Sequence, residues 1–493
     1  MTVKDSAKPA RKPPSMTARA DDEFRERLIA AIGTDGVKTA VEDRASYAFD
    51  AFSEGGLPAA VVLPKDARDV SAIVRIARSC GRPVVPRGAG TGLCGGSVPP
   101  DGGVVISFAR MNRVLAFDAR QRRARVQPGL ANLELSNRVA GAGLFFGPDP
   151  SSQKTSTIGG NAATNAGGPH AFAYGSMSAH VLGLEFVDDA GEVLRVSLDD
   201  AGYDLTGSLV GSEGTLGIVT AIDVRLLRVP SAIRVCVAAF GDVEGASEAV
   251  SAIVAAGLTP TALEIIDRTI VQAVEAHFHS GFPLDAGAVL LVEIAGEPAD
   301  VEAWERTIAG VSREHGALSW RSATSARERD ALWASRKGAA GALGRISPNY
   351  YIHDATVPRT KLPLATRRVE EIARACGLQV GNVFHAGDGN LHPLLLFDRR
   401  IPGQLEAVAH AGHDILAACI ELGGTISGEH GIGSEKRETL PLVFDERDLA
   451  TMARLREVFD VTRSFNPDKI FPSGAVCGEV RAAQAAVPAG AWL

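Results

Sequence analysis

The chain has 493 residues, more than one hydrophobic core usually organises, so at least two structural units are expected. Hydrophobic residues make up 45% and charged residues 22% of the sequence, which is typical of a folded globular protein and excludes disordered, collagen-like and coiled-coil chains. The formal net charge is −7 and the lysines and arginines are dispersed, so no nucleic-acid partner is expected.

The spacing of the cysteines and the length of the apolar runs indicate where in the cell the protein is expected. No cysteine pair has the spacing of a zinc or iron–sulfur site, and we interpret all six as reduced thiols of a cytoplasmic protein. No apolar run reaches the roughly 18 to 20 residues that a transmembrane helix needs. Residues 1–22 lack the apolar stretch of a secretory signal and are predicted to be a flexible tail. The cysteines are Cys80, Cys94, Cys236, Cys376, Cys419 and Cys477.

A first domain of mixed helices and strands is predicted over residues 23–230. A helix is expected to begin after Asp66 and to end at Gly81, because the apolar residues between them have helical spacing. The domain lacks the strand–glycine–helix unit with G-x-G-x-x-G, so a nicotinamide cofactor is disfavoured. The other elements predicted here are strands over 83–86, 104–106, 114–117 and 124–126 and a helix around Leu133 and Val139.

A second domain is predicted over residues 231–440. Strands over 235–240 and 289–294 alternate with helices over 243–256 and 300–315, a pattern that favours an α/β lid. A long helix over 404–422 is expected to end at the glycine pair 423–424. Residues 441–477 are predicted to return to the first domain, and residues 478–493 to form a second tail.

The segment PRGAGTG, residues 86–92, follows a predicted strand. Its glycines let several backbone N–H groups converge on one anion without a Cβ in the way, which suits a pyrophosphate. Glycines and small hydroxyl residues recur over 148–168, 174–175 and 211–218, where they can line a long groove with hydrogen-bond donors. A glycine-rich surface loop is the alternative for any one of these segments alone.

These segments resemble the FAD domain of the vanillyl-alcohol-oxidase or p-cresol-methylhydroxylase family of flavoproteins. The resemblance implies that residues 23–230 bind FAD, with the PRGAGTG loop around its pyrophosphate. Some members attach the flavin through a histidine beside this loop; residues 87–96 contain none, so non-covalent FAD is expected. The residues expected to bind FAD are Pro86, Arg87, Gly88, Ala89, Gly90, Thr91, Gly92, Pro148, Asp149, Thr157, Gly160, Asn165, Gly167, Gly168, Tyr174, Glu213, Gly214, Ile218 and Asn390.

Two histidines flank an Asp-Gly pair in HAGDGNLH, residues 385–392, between two predicted strands. Asp-Gly is a strong signal for a two-residue type I′ turn, which would pair His385 with His392 and bring their Cβ atoms about 4.5 to 5.5 Å apart. Two imidazoles at that separation can share one divalent metal. The alternative is a histidine pair that only packs or caps the hairpin.

A third segment, GEHGIG over residues 428–433, follows another predicted strand. Two histidines with one carboxylate are a recognised ligand set for a catalytic divalent ion, so Glu429 is a candidate ligand. His430 is then left for proton transfer, because neighbouring side chains on an extended backbone diverge. The alternative is that Glu429 pairs with Lys436 or Arg437 as a surface charge.

With these motifs the resemblance narrows to the FAD-linked D-2-hydroxyacid dehydrogenases and covers residues from about 25 to 477. This branch includes D-lactate dehydrogenases, D-2-hydroxyglutarate dehydrogenase and the FAD-linked subunit of bacterial glycolate oxidase. Residues 345–351 look most like the glycolate oxidase subunit. The resemblance implies that His385, His392 and Glu429 bind zinc or manganese and that His430 is the catalytic base. The implied fold class is α+β: an FAD-binding domain of p-cresol-methylhydroxylase type, an α/β cap that binds substrate and carries the metal, and a C-terminal helical segment.

A substrate that carries a carboxylate needs a cation, preferably the planar fork of arginine. Arg336, in the segment LWASRKG, fits the family's arginine segment, and Lys337 is the weaker candidate. An exposed helix charge is the alternative for both. Members that act on larger diacids carry extra polar contacts near the positions of Ala340 and Ile352. The sequence therefore favours a small substrate, glycolate or D-lactate, over D-2-hydroxyglutarate.

The resulting hypothesis is oxidation of a 2-hydroxy acid to the 2-oxo acid. Arg336 anchors the carboxylate, the metal polarises the hydroxyl, His430 takes its proton, and hydride passes to flavin N5. A non-redox transferase like alkyl-dihydroxyacetonephosphate synthase and a flavin-binding assembly subunit are the alternatives. The resemblance implies a second FAD-domain subunit, an iron–sulfur subunit and a membrane quinone as electron acceptors. It places the chain in the cytoplasm or at the inner face of the membrane, with only indirect membrane contact.

Overall fold

The computed structural model describes residues 16–51 and 53–473, which contain mixed helix and sheet. Cys477 and the predicted tail over 478–493 lie outside the described residues. The strands of the first half are β1 Val37–Lys38, β2 Ala60–Val62, β3 Val84–Arg87, β4 Val104–Ser107, β5 Val114–Asp118, β6 Arg123–Val126, β7 Leu144–Phe145, β8 Val181–Val187, β9 Val193–Ser197, β10 Ile218–Arg225 and β11 Leu227–Arg228. Its helices are α1 Met16–Ile32, α2 Val41–Ala45, α3 Ala67–Ser79, α4 Asn132–Val139, α5 Ile158–Thr164, α6 Ala171–Tyr174 and α7 Leu205–Leu209.

A four-stranded sheet in the order β1-β2-β4-β3 carries the glycine-rich loop at the end of β3. Strands β2, β4 and β3 run parallel, and α3 covers them through Val70, Ile73 and Val74, which are buried as their spacing predicts. The Asp66 carboxylate caps α3 by accepting hydrogen bonds from two backbone N–H groups. The loop after β3 is therefore held by a parallel sheet, the arrangement that places ligand sites beyond the carboxyl ends of strands.

The predicted flexible tail over residues 1–22 is wrong at its C-terminal end, because α1 begins at Met16. This helix buries Phe24, Leu28 and Ile32 at intervals of four residues against the first core. Asp21, on the same helix, pairs with Arg82. Burial of the apolar face stabilises a helix whose first turns are polar, and the composition of those turns alone did not reveal it.

A five-stranded antiparallel sheet in the order β5-β6-β10-β8-β9 forms the second layer of the first domain. Its inner face packs with α4 and α5 around a core that includes Val126, Leu184 and Ile222. Strands β7 and β11 form a separate two-stranded sheet. The segment that leads into α5 lies between this core and the glycine-rich loop, since a Cβ on Gly88 would come within 2.4 Å of Thr157 Oγ1.

The second domain is built on one antiparallel sheet in the order β15-β12-β14-β13-β18-β19-β16, with β17 also paired to β19. Its strands are β12 Ala232–Phe240, β13 Ala262–Asp267, β14 Ala288–Gly296, β15 Ser319–Ser322, β16 Asn349–Ile352, β17 Ala355–Thr356, β18 Gln379–His385 and β19 Asn390–Phe397. Its helices, with the last helix of the chain, are α8 Val243–Ala255, α9 Arg268–Phe278, α10 Pro298–Glu314, α11 Ala326–Lys337, α12 Ala339–Ala342, α13 Leu362–Ala375, α14 Gln404–Glu421 and α15 Glu446–Phe459.

Helices cover both faces of this sheet. Helices α8, α10, α13 and α14 share one core with the strands, and α9, α11 and α12 share the other. Side chains alternate between the two cores, so Val383 and His385 point to the α9–α11–α12 face while Phe384 points to the opposite face. The polar residues of the cap that matter for function lie on the α9–α11–α12 face.

The chain returns to the first domain after α15. Phe465 is fully buried in the core of the four-stranded sheet. The Val84 N–H donates to the Ser464 carbonyl at 2.8 Å, and the Asn466 N–H donates to the Val84 carbonyl at 2.7 Å. The last described segment thus adds itself to the edge of β3. Among the described residues, no helix combines the length and apolar character that crossing a bilayer requires.

Candidate active site

One pocket runs between the two domains. At one end it is lined by residues 86–92 and by residues around Thr157 and Glu213 of the first domain. At the other end it is lined by residues of the cap, among them the five that the sequence assigns to catalysis or metal binding. The two groups of residues that the sequence singled out separately therefore open into a common space. The five cap residues are Arg336, His385, His392, Glu429 and His430.

The first-domain end of the pocket is shaped for a long polar ligand. Gly90 has φ +70°, and a Cβ there would meet the Arg87 guanidinium at 2.1 Å. Ser156 Oγ and Asn161 Nδ2 line the pocket, are buried, and have no hydrogen-bond partner in the described residues. A buried polar group without a partner is costly. These unsatisfied groups along a glycine-rich groove fit a bound FAD, whose phosphates and hydroxyls offer hydrogen-bond partners.

The structure separates the residues expected at FAD into two sets. Eleven line the pocket and eight do not. Asn390 packs against Gly428, Asn165 accepts hydrogen bonds from Ser176 and Ser178, and Gly167 lies beside Glu429. The residues that line the pocket are Pro86, Arg87, Gly88, Ala89, Gly90, Thr91, Gly92, Thr157, Gly160, Glu213 and Gly214. The others are Pro148, Asp149, Asn165, Gly167, Gly168, Tyr174, Ile218 and Asn390.

The predicted pairing of His385 with His392 is wrong. In the β18–β19 hairpin His385 pairs with Asn390 and His392 pairs with Val383. The connection is four residues long, because only Gly389 has a positive φ and a type I′ turn needs one at Asp388 as well. The shift is by an even number of residues, so both histidines still face the same side of the sheet. Their ring centroids lie 5.0 Å apart.

The two imidazoles converge on the Glu429 carboxylate. Glu429 Oε1 lies 3.1 Å from His385 Nε2 and 3.2 Å from His392 Nε2. One ligand atom from each residue lies within 4.8 Å of the other two. Burial opposes ionisation of Glu429, but His385 and His392 together outweigh it and hold the pKa of the carboxyl well below its usual range.

The far nitrogens of both rings are held by other groups. His392 Nδ1 donates to the His353 carbonyl at 3.2 Å, so the neutral ring presents a lone pair from Nε2. His385 Nδ1 lies 2.8 Å from Glu264 Oε1, a carboxylate that is fully buried on β13. Partners of this kind orient metal-binding imidazoles. Three lone-pair atoms facing one point need a cation there, which fits a divalent metal.

Burial by itself would lower the pKa of His385, but Glu264 and Glu429 raise it to about 10. In the protein without a metal, a proton on His385 therefore supplies the positive charge that the cluster requires. Metal binding would displace that proton, because a ligating imidazole must be neutral.

His430 lies beside this cluster. Its ring stacks on His392 with centroids 4.9 Å apart and an angle of 9° between the planes. Burial lowers the pKa of His430 to about 4, so the imidazole is neutral and able to accept a proton. The strand predicted before Glu429 is wrong, since it is reduced to a single bridge between Thr356 and Thr425. The loop is held instead by hydrogen bonds from its backbone to Asp354.

Arg336 is buried on the last turn of α11 and lines the pocket. Its guanidinium forms an ion pair with Glu264, and its Nη2 lies 3.4 Å from His385 Nδ1. The alternative of an exposed helix charge does not describe Arg336. Glu264 thus neutralises part of the charge on Arg336 while it also orients His385, and the guanidinium remains at the pocket wall.

Two protein-family models and several known proteins are similar to this chain. Residues 58–197 match the family model described as "FAD binding domain", and residues 229–470 match "FAD linked oxidases, C-terminal domain". Glycolate oxidase subunit GlcD of Escherichia coli (strain K12) is 43% identical over 425 residues, which cover 86% of this chain and 85% of that protein. The chain belongs to the FAD-linked oxidase family. The mitochondrial cytochrome-type D-lactate dehydrogenase of Arabidopsis thaliana is 31% identical over 422 residues, covering 84% of this chain and 74% of that protein.

The fold of this FAD-linked oxidase is shared with p-cresol methylhydroxylase. The structure of that enzyme with substrate bound superposes with a TM-score of 0.76 at 15% identity, and the match covers 92% of this chain and 97% of the other. The predicted family, fold class and FAD-binding domain are confirmed.

Sequence reasoning missed two acidic residues that organise the site of this FAD-linked oxidase. Glu264 contacts both His385 and Arg336, and it interrupts an otherwise apolar strand, which was a signal for a buried partner. Asp354 accepts hydrogen bonds from the loop that carries Glu429 and His430. No local sequence pattern distinguishes Asp354 from a surface aspartate.

Proposed function

We propose that this protein oxidises a small D-2-hydroxy acid, glycolate or D-lactate, to the 2-oxo acid with non-covalent FAD as electron acceptor. The observation that carries the proposal is that the His385–His392–Glu429 cluster and the glycine-rich groove open into one pocket. The names of the curated relatives, glycolate oxidase subunit and D-lactate dehydrogenase, point to the same chemistry. They favour oxidation over the transferase alternative.

The residues divide the reaction among them. FAD in the groove would take the hydride from C2, and a zinc or manganese ion held by His385, His392 and Glu429 would polarise the hydroxyl. Arg336 lines the pocket within 3.4 Å of His385 and is placed to bind the substrate carboxylate. His430 is placed to accept the hydroxyl proton, and with FAD bound as hydride acceptor the loss of a proton and a hydride from the alcohol would balance.

The wall beside Arg336 favours a short substrate. Ala340 and Ile352 line the same pocket, and neither can pair with a second carboxylate. A D-2-hydroxyglutarate-type activity therefore remains the second candidate, supported by family likeness but disfavoured by this apolar wall. Glycolate and D-lactate differ by one methyl group, which a pocket of this kind distinguishes by only about 1–3 kcal/mol.

Loss of the yellow flavin absorbance under anaerobic conditions tests the function. We expect glycolate or D-lactate to bleach the bound flavin, D-2-hydroxyglutarate to do so more slowly, and the L-isomer of lactate to leave it yellow. Glyoxylate or pyruvate should appear in a one-to-one ratio with reduced flavin. A chain that retains FAD and is bleached by none of these acids would instead be an assembly subunit.

Metal content provides an independent test of the cluster. We expect about one zinc or manganese ion per chain, and we expect His392→Ala to lose the ion because only two ligands then remain. Inductively coupled plasma mass spectrometry of the purified protein measures this, and dialysis against a chelator should remove the ion and the substrate-dependent bleaching together. His277→Ala, a histidine at the C-terminal end of α9, is the matched control. Equal metal in His392→Ala and the unaltered protein would exclude the cluster as the site.

The electron acceptor is proposed from the relatives. The Escherichia coli relative is named as a subunit, which supports a multi-subunit assembly. We propose a second FAD-domain subunit and an iron–sulfur subunit as partners that pass electrons to a membrane quinone. Such an assembly places this chain in the cytoplasm or at the inner face of the membrane, with membrane contact made by its partners.

A further inference from the structure

A group of five polar side chains, buried or partly buried and four of them charged, joins the two domains beside the pocket. Asp149 and His170 belong to the FAD-binding domain, while Glu293, Trp333 and Lys337 belong to the cap. Asp149 was expected at FAD, yet it does not line the pocket and its carboxylate is committed to this group. None of the five is a candidate metal ligand or the proposed base.

His170 lies at the centre of the group. Its Nδ1 is 2.9 Å from Asp149 Oδ2, and its Nε2 is 2.9 Å from Glu293 Oε1. An ionised carboxylate only accepts hydrogen bonds, so both ring nitrogens must donate and the ring is an imidazolium. Burial opposes this charge, but Asp149 and Glu293 together outweigh it and raise the pKa of His170 to about 10.

Helix α11 also contacts both carboxylates, at the same oxygen of Asp149 as His170 but at the other oxygen of Glu293. Lys337 Nζ lies 3.0 Å from Asp149 Oδ2, and Trp333 Nε1 donates to Glu293 Oε2 at 2.7 Å. Trp333 and Lys337 stand four residues apart, near the C-terminal end of α11, so they share one helix face. Two negative and two positive charges cancel within the group, which lets it be buried between the domains.

We propose that His170 is a positioning residue that ties the last turn of α11 to the FAD-binding domain and so fixes Arg336 in the pocket. Arg336 lies between Trp333 and Lys337 in the sequence, and the pocket is lined by Arg336 and Lys337 but not by His170. The expected effect of this tie on KM rests on the proposed function, because that proposal assigns Arg336 to the substrate carboxylate. The expected effect of the tie on the mobility of α11 does not depend on the proposed function.

The side chain at position 170 must donate twice. Glutamine has one donor group and a carbonyl, so His170→Gln leaves one carboxylate facing an acceptor. Arginine can donate to both carboxylates and keeps the positive charge, so His170→Arg preserves the tie. His180→Gln is the matched control: His180 is also a buried histidine of the FAD-binding domain, but its ring bonds to the Tyr174 carbonyl, within that same domain.

The experiment compares these three variants as FAD-loaded proteins. Hydrogen–deuterium exchange should be faster over residues 326–337 in His170→Gln and unchanged there in His170→Arg and His180→Gln. In steady-state assays with the acid that bleaches the flavin, His170→Gln should raise KM by about 10-fold or more with little change in kcat, since loosened α11 weakens carboxylate binding in ground and transition states alike.

The outcomes separate this proposal from the proposed function. If His170→Gln exchanges like the unaltered protein over residues 326–337, the Lys337–Asp149 pair holds α11 without His170 and the proposal is wrong. Faster exchange with unchanged KM would show that the tie does not govern Arg336, which also overturns it. If no 2-hydroxy acid bleaches even the unaltered protein, the proposed function fails, while exchange still decides whether His170 holds α11.

Discussion

Replacing His430 with glutamine is expected to slow flavin reduction by the 2-hydroxy acid by about 10²- to 10⁴-fold, the usual contribution of a positioned general base. The imidazole is neutral, lies against His392 with ring centroids 4.9 Å apart, and lines the same pocket as Arg336. Glutamine is similar in size but cannot accept a proton at neutral pH. Anaerobic stopped-flow measurement of flavin absorbance gives the rate directly.

Two measurements separate loss of the base from loss of the site. FAD and metal content of His430→Gln should match those of the unaltered protein if the ion is held by His385, His392 and Glu429, and metal loss would instead indicate the neighbouring Asp354–His392–His430 group. His410→Gln, an exposed histidine on α14, is the control and should reduce flavin at the normal rate. A His430→Gln protein that retains both cofactors and reduces flavin at the normal rate would remove His430 from the mechanism.

The parts of the fold that sequence predicts well are those with short-range causes. The α3 helix begins after Asp66 because the carboxylate caps its own backbone, and α14 ends before Gly423, which has φ +86°. The PRGAGTG loop and the histidine motifs are each continuous stretches of sequence, so the sequence alone indicates their chemistry. In each case the interaction that fixes the structure lies within a few residues along the chain.

The errors have long-range causes. In the β18–β19 hairpin the Gly387 N–H donates to the Leu263 carbonyl of a neighbouring strand, and this contact belongs to a four-residue connection that no turn propensity predicts. His170 meets Glu293 across 123 positions, and His385 meets Glu264 across 121. Partners so distant in sequence are brought together only by the pairing of whole strands and domains, which single-sequence patterns do not encode.

Changing Asp354 to asparagine is expected to lower metal binding and flavin reduction, although Asp354 is assigned neither to the metal nor to the substrate. The Asp354 carboxylate is fully buried and accepts hydrogen bonds from three consecutive backbone N–H groups, those of residues 428–430, at distances of 2.9 to 3.2 Å. It also accepts from Ser427 Oγ at 2.7 Å and faces Lys436 Nζ at 3.3 Å. These contacts fix the backbone that carries Glu429 and His430, so their loss should lower metal content and flavin reduction together.

The cost has two components that a double variant separates. Burial opposes ionisation of Asp354, but Lys436, His430, His392 and the hydrogen bond from Ser427 together outweigh it and hold the pKa of the carboxyl well below its usual range. Asp354→Asn leaves the buried Lys436 ammonium without its counter-charge, a change that destabilises by about 3–5 kcal/mol. Asp354→Asn with Lys436→Met removes both charges, and it should recover most of the thermal stability without recovering flavin reduction, because the loop still lacks a double acceptor.

Ser427→Ala is the graded control, since it deletes one donor to Asp354 and leaves the carboxylate in place. We expect it to retain the metal and to reduce flavin within a fewfold of the normal rate. Thermal unfolding, metal analysis and stopped-flow reduction on all three variants distinguish the effects. If the double variant recovers flavin reduction along with stability, Asp354 serves only to neutralise Lys436. Persistent inactivity in a stable double variant means that the loop geometry itself requires a carboxylate at this position.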